Sequence, residues 1–365
     1  HIMKYNIFRK YYFLYNKLGY QPIPVKENKD EHLFPEDDTN RYNLIHNHYP
    51  FSDFNLNGNI GLKTGVKINT SDFHLMVIKI EINNELAKNN VGNELSMNRL
   101  IEFYNRKFYR PLEDDTEIIY QIRKEETSNK QIGYIFFKTK KLPIWESKEF
   151  PFYNNMGKIT ILGRGTYTPI YPSMFAQSQT KYLLNSLNED LMTEENLLNL
   201  KLKDLIKFTT EITTNNIIHN INAETEESQT IVMFNKYSIK FESDTAIDLM
   251  DMKLAKSGSD LEFIDTTISK EEDFEFEWDI PLNTYPTGCY KLAIQAHEYP
   301  YLHNYSSLCY DFVEPVIDVN YPDDGETLMK GDNIILDWDT NVTKPLKAEI
   351  WKSGTLHEVI DNEIL

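Results

Sequence analysis

Cysteine is almost missing from this 365-residue sequence, with Cys289 and Cys309 the only two. That excludes a disulfide-stapled miniprotein and a cysteine-rich zinc module, which need several cysteines at set spacings. Long apolar runs are missing as well: no stretch approaches the ~18 residues of a membrane-crossing helix, and no secretory leader pattern is present. The phosphate-cradling GxxxxGK[ST] loop, the GxSxG nucleophile turn and the HExxH zinc helix are all absent. A Ser/His/Asp arrangement cannot be read from the order of residues. The leading His1-Ile2-Met3 reads as an expression remnant.

Charge is present but unevenly spread. Residues 1–215 hold 28 Lys and Arg against 26 Asp and Glu, whereas 216–365 hold 10 against 30, so the net charge of −18 sits in the second part. A polyanion could approach the first part and would be repelled by the second.

The hydrophobic pattern changes at the same place. Residues 4–18 have helical apolar spacing and stop at Gly19. Short strands are expected in "YQPIPV", "NIGLKTG" (59–65), 116–124, 132–140 and 157–163, a central strand in 73–82, and a helix in 93–108. Residues 178–211 read as one or two helices. Together these predict an α+β domain, a mixed sheet with helices.

Beyond the acidic linker "NAETEESQ" (222–229) the chain turns almost purely strand-like, with alternation in "YSIKF", "FEFEW", "YKLAI" and "IILDW". It also repeats. "MKLAKSGSDLEFIDTTI" (252–268) matches "AEIWKSGTLHEVIDNEI" (348–364), and 229–243 matches 326–340, at offsets of 96 and 97 residues. A period of that size, built of short strands, predicts all-β immunoglobulin-like sandwich repeats. The second copy reaches Leu365 before its equivalent of "FEFEWDIPLNTYPTGCYKLAIQAHEYPYLHNYSSLCYDF", so an incomplete second sandwich is expected. Trp278 and Trp338 are expected in the sandwich cores.

In "VIKIEI" (77–82), Lys79 and Glu81 share one face of the central strand, because residues two apart point the same way. A same-face ion pair is the expected role. A lysine meeting phosphate directly is the functional alternative. The basic stretches "KTKK" (138–141) and "NRKFYR" (105–110) fit solvated element ends or a phosphate backbone. "HNH" (46–48) reads as solvent histidines in a polar loop.

Taken in order, the helix, "GYQPIPV", the long polar loop, "NIGLKTG", "MVIKIEI", "GYIFFK" and "ITILGRGTYTPIYPS" resemble the bifunctional primase–polymerase (prim-pol) domain of mobile-element, plasmid and viral replication proteins. The resemblance spans about residues 4–180 and implies a two-metal nucleotidyl-transfer site. Its residues are replaced here. Gly61, Thr64, Gly65, Gly163, Gly165, Tyr167, Pro172 and Ser173 keep the framework, and Glu81 keeps one acid. The first metal aspartate falls on Lys79, the nucleotide-contacting histidine on Tyr134, the third carboxylate on Thr160 and the following arginine on Leu162. Two divalent ions need several carboxylates, and a lysine puts a positive charge where a cation would sit.

Residues 229–365, with their "W-IP" and "G-Y-L-I" strands, resemble the Ig-like repeat of fungal cell-wall synthesis proteins of the Kre/Knh type, which implies interaction rather than catalysis.

The expected organisation is therefore a prim-pol-like domain at 4–180, a helical closing segment at 181–221, a first Ig-like sandwich at 222–313 and the start of a second at 314–365. The expected function is that of a catalytically inactive, primase–polymerase-like protein binding nucleotide or nucleic acid, or serving as a scaffold, with a protein partner on the Ig-like repeats. Candidate ligand-binding residues are Thr64, Lys79, Glu81, Tyr134, Arg164 and Tyr167, with phosphate roles for Lys79 and Arg164 and stacking roles for Tyr134 and Tyr167. No catalytic residue, metal or cofactor is expected. Mg or Mn enters only in the alternative of a diverged but active primase, with Asp72 or Glu117 standing in for the lost acids. A third alternative is a surface or cell-wall-type protein working through its repeats. Cys289 and Cys309 fit either a disulfide or two buried thiols. With no secretion signal, the reduced pair and an intracellular setting, cytoplasm or nucleus, are expected over an extracellular one.

Overall fold

The central strand forms where the run of β-branched residues places it, and it organises the first half of the chain. The computed structural model describes residues 7–25, 59–83, 96–108, 118–124, 130–153, 155–175, 180–184, 192–225, 229–244, 246–256, 262–269, 273–297 and 299–364. These divide into two units, His1–Ile217 with Tyr299–Leu302, and Ile218–Glu298 with His303–Leu365.

The first unit is built on helix α1 (Ile7–Lys17), strands β1 (Pro22–Val25), β2 (Asn59–Thr64) and β3 (His74–Asn83), helix α2 (Met97–Phe108), and strands β4 (Ile119–Lys124), β5 (Lys130–Thr139), β6 (Ser147–Pro151), β7 (Gly157–Leu162) and β8 (Thr166–Pro169). Strands β9 (Met174–Phe175), β10 (Thr180–Leu184) and β11 (Leu198–Asn199) and helix α3 (Leu202–Thr213) complete it. The large sheet runs β6-β7-β3-β5-β4-β10-β9, with β11 parallel to β5, and a small sheet runs β1-β2-β8.

The two faces of β3 bury different partners. Leu75 and Val77 join Tyr134 and Phe136 of β5 in one core with Phe8, Tyr12 and Tyr15 of α1 and Ile23, Ile60 and Leu62 of the small sheet. Ile78, Ile80 and Ile82 point the other way and are also fully buried. On that face a Cβ at Gly133, the partner of Ile80, would lie 2.5 Å from Met97 of α2. Helices α2 and α3 pack on each other through Tyr104, whose ring meets Phe208 at 5.3 Å and whose hydroxyl shares a 2.8 Å hydrogen bond with Thr209.

The segment expected as a helical closure, 181–221, differs from expectation. Among its described residues only Leu202–Thr213 is α-helical; Thr180–Leu184 pairs with β4, and Ile218 already opens the second unit. The leucines of 197–205 misled because a 3-10 turn followed by a short strand and a helix mimics one amphipathic run.

The second unit is all-β. Its first repeat holds β12 (Ile218–Ala223), β13 (Thr230–Val232), β14 (Lys236–Ser243), β15 (Leu249–Lys256), β16 (Glu262–Ser269), β17 (Glu275–Asp279), β18 (Gly288–Ala296), β19 (Tyr299–Tyr305) and β20 (Tyr310–Val313). One sheet runs β12-β14-β17 and the other β13-β20-β18-β15-β16, with β19 beside β18. This is an immunoglobulin-like β-sandwich arrangement. Alternation explains it: Ile239 and Phe241 are buried while Lys240 between them reaches Glu224 at 2.5 Å and Glu275 at 3.6 Å. Trp278 fills the core beside Phe312, as expected.

The second repeat contributes two hairpin-like pairs, β21 (Ile317–Tyr321) with β22 (Asp337–Thr340), and β23 (Leu346–Lys352) with β24 (Thr355–Ile364). Trp338 is only half-buried there, against the expectation for a core residue. The repeats are joined by Asn235, whose side chain donates to the Asn341 carbonyl and accepts from the Thr343 amide, both at 2.9 Å.

Candidate functional site

Antiparallel register decides what β3 presents. Lys79 lies directly opposite Tyr134 on β5 and Thr160 on β7. The row continues outward to Gln121 on β4 and Glu149 on β6. Directly opposed residues share a face, so the three substituted positions picked out in the sequence come together in one line across three adjacent strands. Glu81 lies one step along on the same face, opposite Lys158.

The charged part of this face is a small network. Lys79 Nζ is 3.9 Å from Glu81, and both side chains are about one-fifth to one-quarter exposed, at 24% and 20%. Lys158 Nζ stands 2.7 Å from Glu149 and 3.8 Å from Glu81. The hydrogen bond from Lys158 to Glu149, helped by the charge of Glu81, holds the ammonium above its ordinary range. Two carboxylates thus share a lysine ammonium. The same-face ion pair expected of Lys79 and Glu81 is present, extended by two residues that the sequence reading missed. Lys158 could have been found there, because it alternates with Thr160 in "GKITIL".

The remaining candidates do not gather on an open surface. Tyr134 is 1% exposed and belongs to the core under α1, so it cannot stack on a ligand in this conformation; its aromatic bulk serves packing. Thr160 is buried as well. Thr64 is fully buried, its hydroxyl donating to the Gly163 carbonyl at 2.8 Å, which makes it a brace between two turns. Tyr167 is half-buried against the same core. Of these candidates Arg164 alone is exposed, in the turn between β7 and β8. Ser173 is likewise structural: its hydroxyl accepts from the Ile60 amide at 3.0 Å and donates to the Ile60 carbonyl at 2.7 Å. Gln121, buried in the charged row, donates to Pro169 O at 2.6 Å and accepts from Tyr171 N at 3.0 Å, holding the same segment.

Other expectations resolve variously. In "KTKK", Lys138 is occupied by Glu194 at 2.6 Å, leaving Lys140 and Lys141 exposed. Asp72 precedes β3, and nine residues of strand at ~3.3 Å each separate it from Glu81, so it cannot replace a lost acid. Residues 46–48 and Glu117 lie outside the described residues. Among the described residues there is no group of three His, Cys, Asp or Glu side chains arranged to hold a metal ion, and no helix long and apolar enough to cross a membrane.

Lys63 was not singled out by its sequence context. It is 4% exposed on β2, opposite Tyr167, and burial pushes its ammonium down to about 8.

Cys289 and Cys309 correct the expectation of reduced thiols: they are joined as a disulfide with their Cα atoms 5.6 Å apart. Cys289 is exposed at the start of β18, and Cys309 immediately precedes β20, the neighbour of β18 in the sheet. The reduced reading assumed buried thiols. The β18–β20 pairing brings these two together at a solvent-facing end instead.

No protein-family model matches the chain, and no curated protein matches it. Two solved chains, each a "Marsupial T cell receptor", are similar at 10% identity over 59% of this chain and 69% of theirs, with TM-scores of 0.22 and 0.20.

Proposed function

We propose that the first unit is a catalytically inactive relative of the primase–polymerase domain that contacts the phosphates of a nucleic acid or nucleotide through Lys79, Lys158 and Arg164. The observation that carries this reading is the register of β3, β5 and β7. It aligns Lys79, Tyr134 and Thr160, the positions on which the resemblance would put an aspartate, a histidine and a second carboxylate. Of the three only Lys79 reaches solvent, and a row without a carboxylate cannot clamp two divalent ions whereas an exposed ammonium suits an anion. Polymerase chemistry is accordingly not proposed. Glu81 competes for both lysines, so an incoming phosphate must displace it.

The test is fluorescence anisotropy of single-stranded and primer–template DNA with the full chain at low and physiological salt. Lys79→Glu is expected to weaken binding by about tenfold, Glu81→Gln to strengthen it, and added salt to weaken the wild type. Salt-independent binding, or equal affinity of all three proteins, would remove the reading.

The disulfide favours a second reading, a secreted or surface protein acting through its Ig-like repeats. That reading carries a prediction of its own. Of the three Asn-x-Ser/Thr sequons, Asn304 donates its amide to Ile218 O at 2.8 Å, and Asn341 donates to Glu314 O at 3.1 Å while accepting from Val316 N at 2.7 Å. Asn69 is exposed. Protein passed through a glycosylating secretory route is expected to gain one glycan, at Asn69, seen as the mass lost on enzymatic deglycosylation. Occupancy of Asn304 or Asn341 would show that those side chains leave the fold.

A further inference from the structure

One end of the first unit combines concentrated positive charge with an aliphatic tip. Strands β2 and β3 are joined by the turn 65–73, β5 and β6 by the loop 140–146, and β7 and β8 by the turn 163–165. His74 faces Thr139 and Val77 faces Leu162, so all three connections leave by the same end of β3, β5 and β7. Contacts hold them together. Gly65 lies against Arg164, and the Phe73 ring meets the ammonium groups of Lys138 and Lys140 at 4.6 and 5.3 Å. The Asn69 amide donates at 2.8 Å to Gly19 O, just beyond α1. These connections and the last turn of α1 expose Lys17, Lys67, Lys140, Lys141 and Arg164 against Asp72 and Glu146. Five cations less two carboxylates is a local net of +3, more than the +2 of residues 1–215 together.

The apolar residues of the loop 140–146 are placed in two ways. Pro143 is buried, and a Cβ at Gly163 would lie 3.0 Å from both Pro143 Cγ and the Trp145 ring. Gly163 N–H donates to Glu146 O at 2.7 Å. The loop is therefore anchored on either side of Ile144, and Ile144 itself is fully exposed. An aliphatic side chain held out in this way gains nothing from water or from phosphate, and gains by entering an apolar phase. The cations on the same end gain by meeting anionic headgroups. Apolar insertion with a basic patch is the pair of signals that attachment to a bilayer requires. A nucleic acid would use the cations and leave Ile144 idle, since bases stack on aromatic rings. A protein partner would need a patch of about 800 Å² rather than one protruding aliphatic residue. The net charge of −18 on the whole chain opposes a distant anionic surface, but at physiological salt charges act over ~8 Å, so the groups nearest the headgroups decide.

We propose that this end of the first unit docks on an anionic lipid surface, with Ile144 entering the acyl boundary and Lys140 and Lys141 meeting the headgroups.

The test is flotation of the full chain with vesicles of phosphatidylcholine alone and of phosphatidylcholine mixed with phosphatidylserine. Binding is expected on the mixed vesicles and at least about tenfold less on phosphatidylcholine. Ile144→Asp, at a fully exposed position that the fold does not need, is expected to weaken binding to the mixed vesicles by about tenfold. Lys140→Gln combined with Lys141→Gln is expected to do the same. Ile144→Cys supplies a direct readout, because the two native cysteines are joined to each other and an environment-sensitive fluorophore goes to position 144. Its emission is expected to shift to the blue on the mixed vesicles and to stay unchanged with single-stranded DNA. Absence of vesicle binding, equal binding to both compositions, or an unshifted fluorophore on bound protein would overturn the proposal. So would vesicle binding that the lysine variant loses and Ile144→Asp keeps, which would assign this end to a polyanion such as nucleic acid.

Discussion

Gly65→Ala is expected to lower the stability of the first unit by about 3 kcal/mol or more, among the larger effects a single substitution produces. Gly65 sits at φ +68°, and a Cβ there would lie 2.4 Å from Arg164 Cα and 2.7 Å from both Arg164 N and Gly163 O. The left-handed backbone alone costs a residue with a side chain about 1–2 kcal/mol. The rest comes from overlap with main-chain atoms, which no rotamer change relieves. Gly65 N–H also donates to Leu75 O at 2.7 Å, and Thr64 beside it is tied to Gly163, so neither turn can retreat without breaking a hydrogen bond. Gly325→Ala is the matched control: its φ is +83° but nothing stands within 4 Å of the added carbon, so only the backbone part of the cost, about 1 kcal/mol, is expected. Urea denaturation of the two variants measures the difference. Equal losses would mean that the turns carrying Thr64 and Arg164 can separate freely.

Lys63→Met is expected to abolish a rise in stability of about 1–3 kcal/mol that the wild-type protein shows between about pH 8 and 10.5. Burial pushes the ammonium down to about 8 from its ordinary 10.5. Below pH 8 the lysine is protonated in the folded and the unfolded chain alike, so its titration adds no slope there. Between pH 8 and 10.5 the unfolded chain binds more protons than the folded one, so the stability of the wild type climbs with pH. Methionine keeps the length of the stem and removes the charge, and so abolishes that climb. Denaturation at pH 7 and pH 10 decides the matter. A wild-type stability that stays level between those pH values, or a climb that survives in Lys63→Met, would show that the Lys63 ammonium is not the group whose titration stabilises the fold.

A good deal was legible in the residues themselves, and for identifiable reasons. Period-two alternation in "VIKIEI" and "YSIKF" marks strands because a pleated backbone sends successive side chains to opposite faces. The same rule places Lys79 and Glu81 on one face from their spacing alone. The 96-residue repeat announced a recurring strand pattern, since a strand's inward residues must recur wherever the pattern recurs. Local sequence could not announce depth. Tyr134 and Thr64 occupy positions that the resemblance implied would face a ligand, yet one lies beneath α1 and the other braces a turn, because α1 and the small sheet cover that end of the large sheet.

Register was decided by tertiary structure alone. The chain order does not state that Glu149 falls beside Lys158 and Glu81, since it reaches that face through the β6–β7 and β7–β3 pairings in turn. Nor does it state that Cys309 would meet Cys289, an outcome of β20 pairing with β18. Burial on a single strand makes the point most directly. Leu75 and Glu81 share one face of β3, and one is buried while the other is partly exposed, because burial is a property of what packs against that face and not of the residue that carries it.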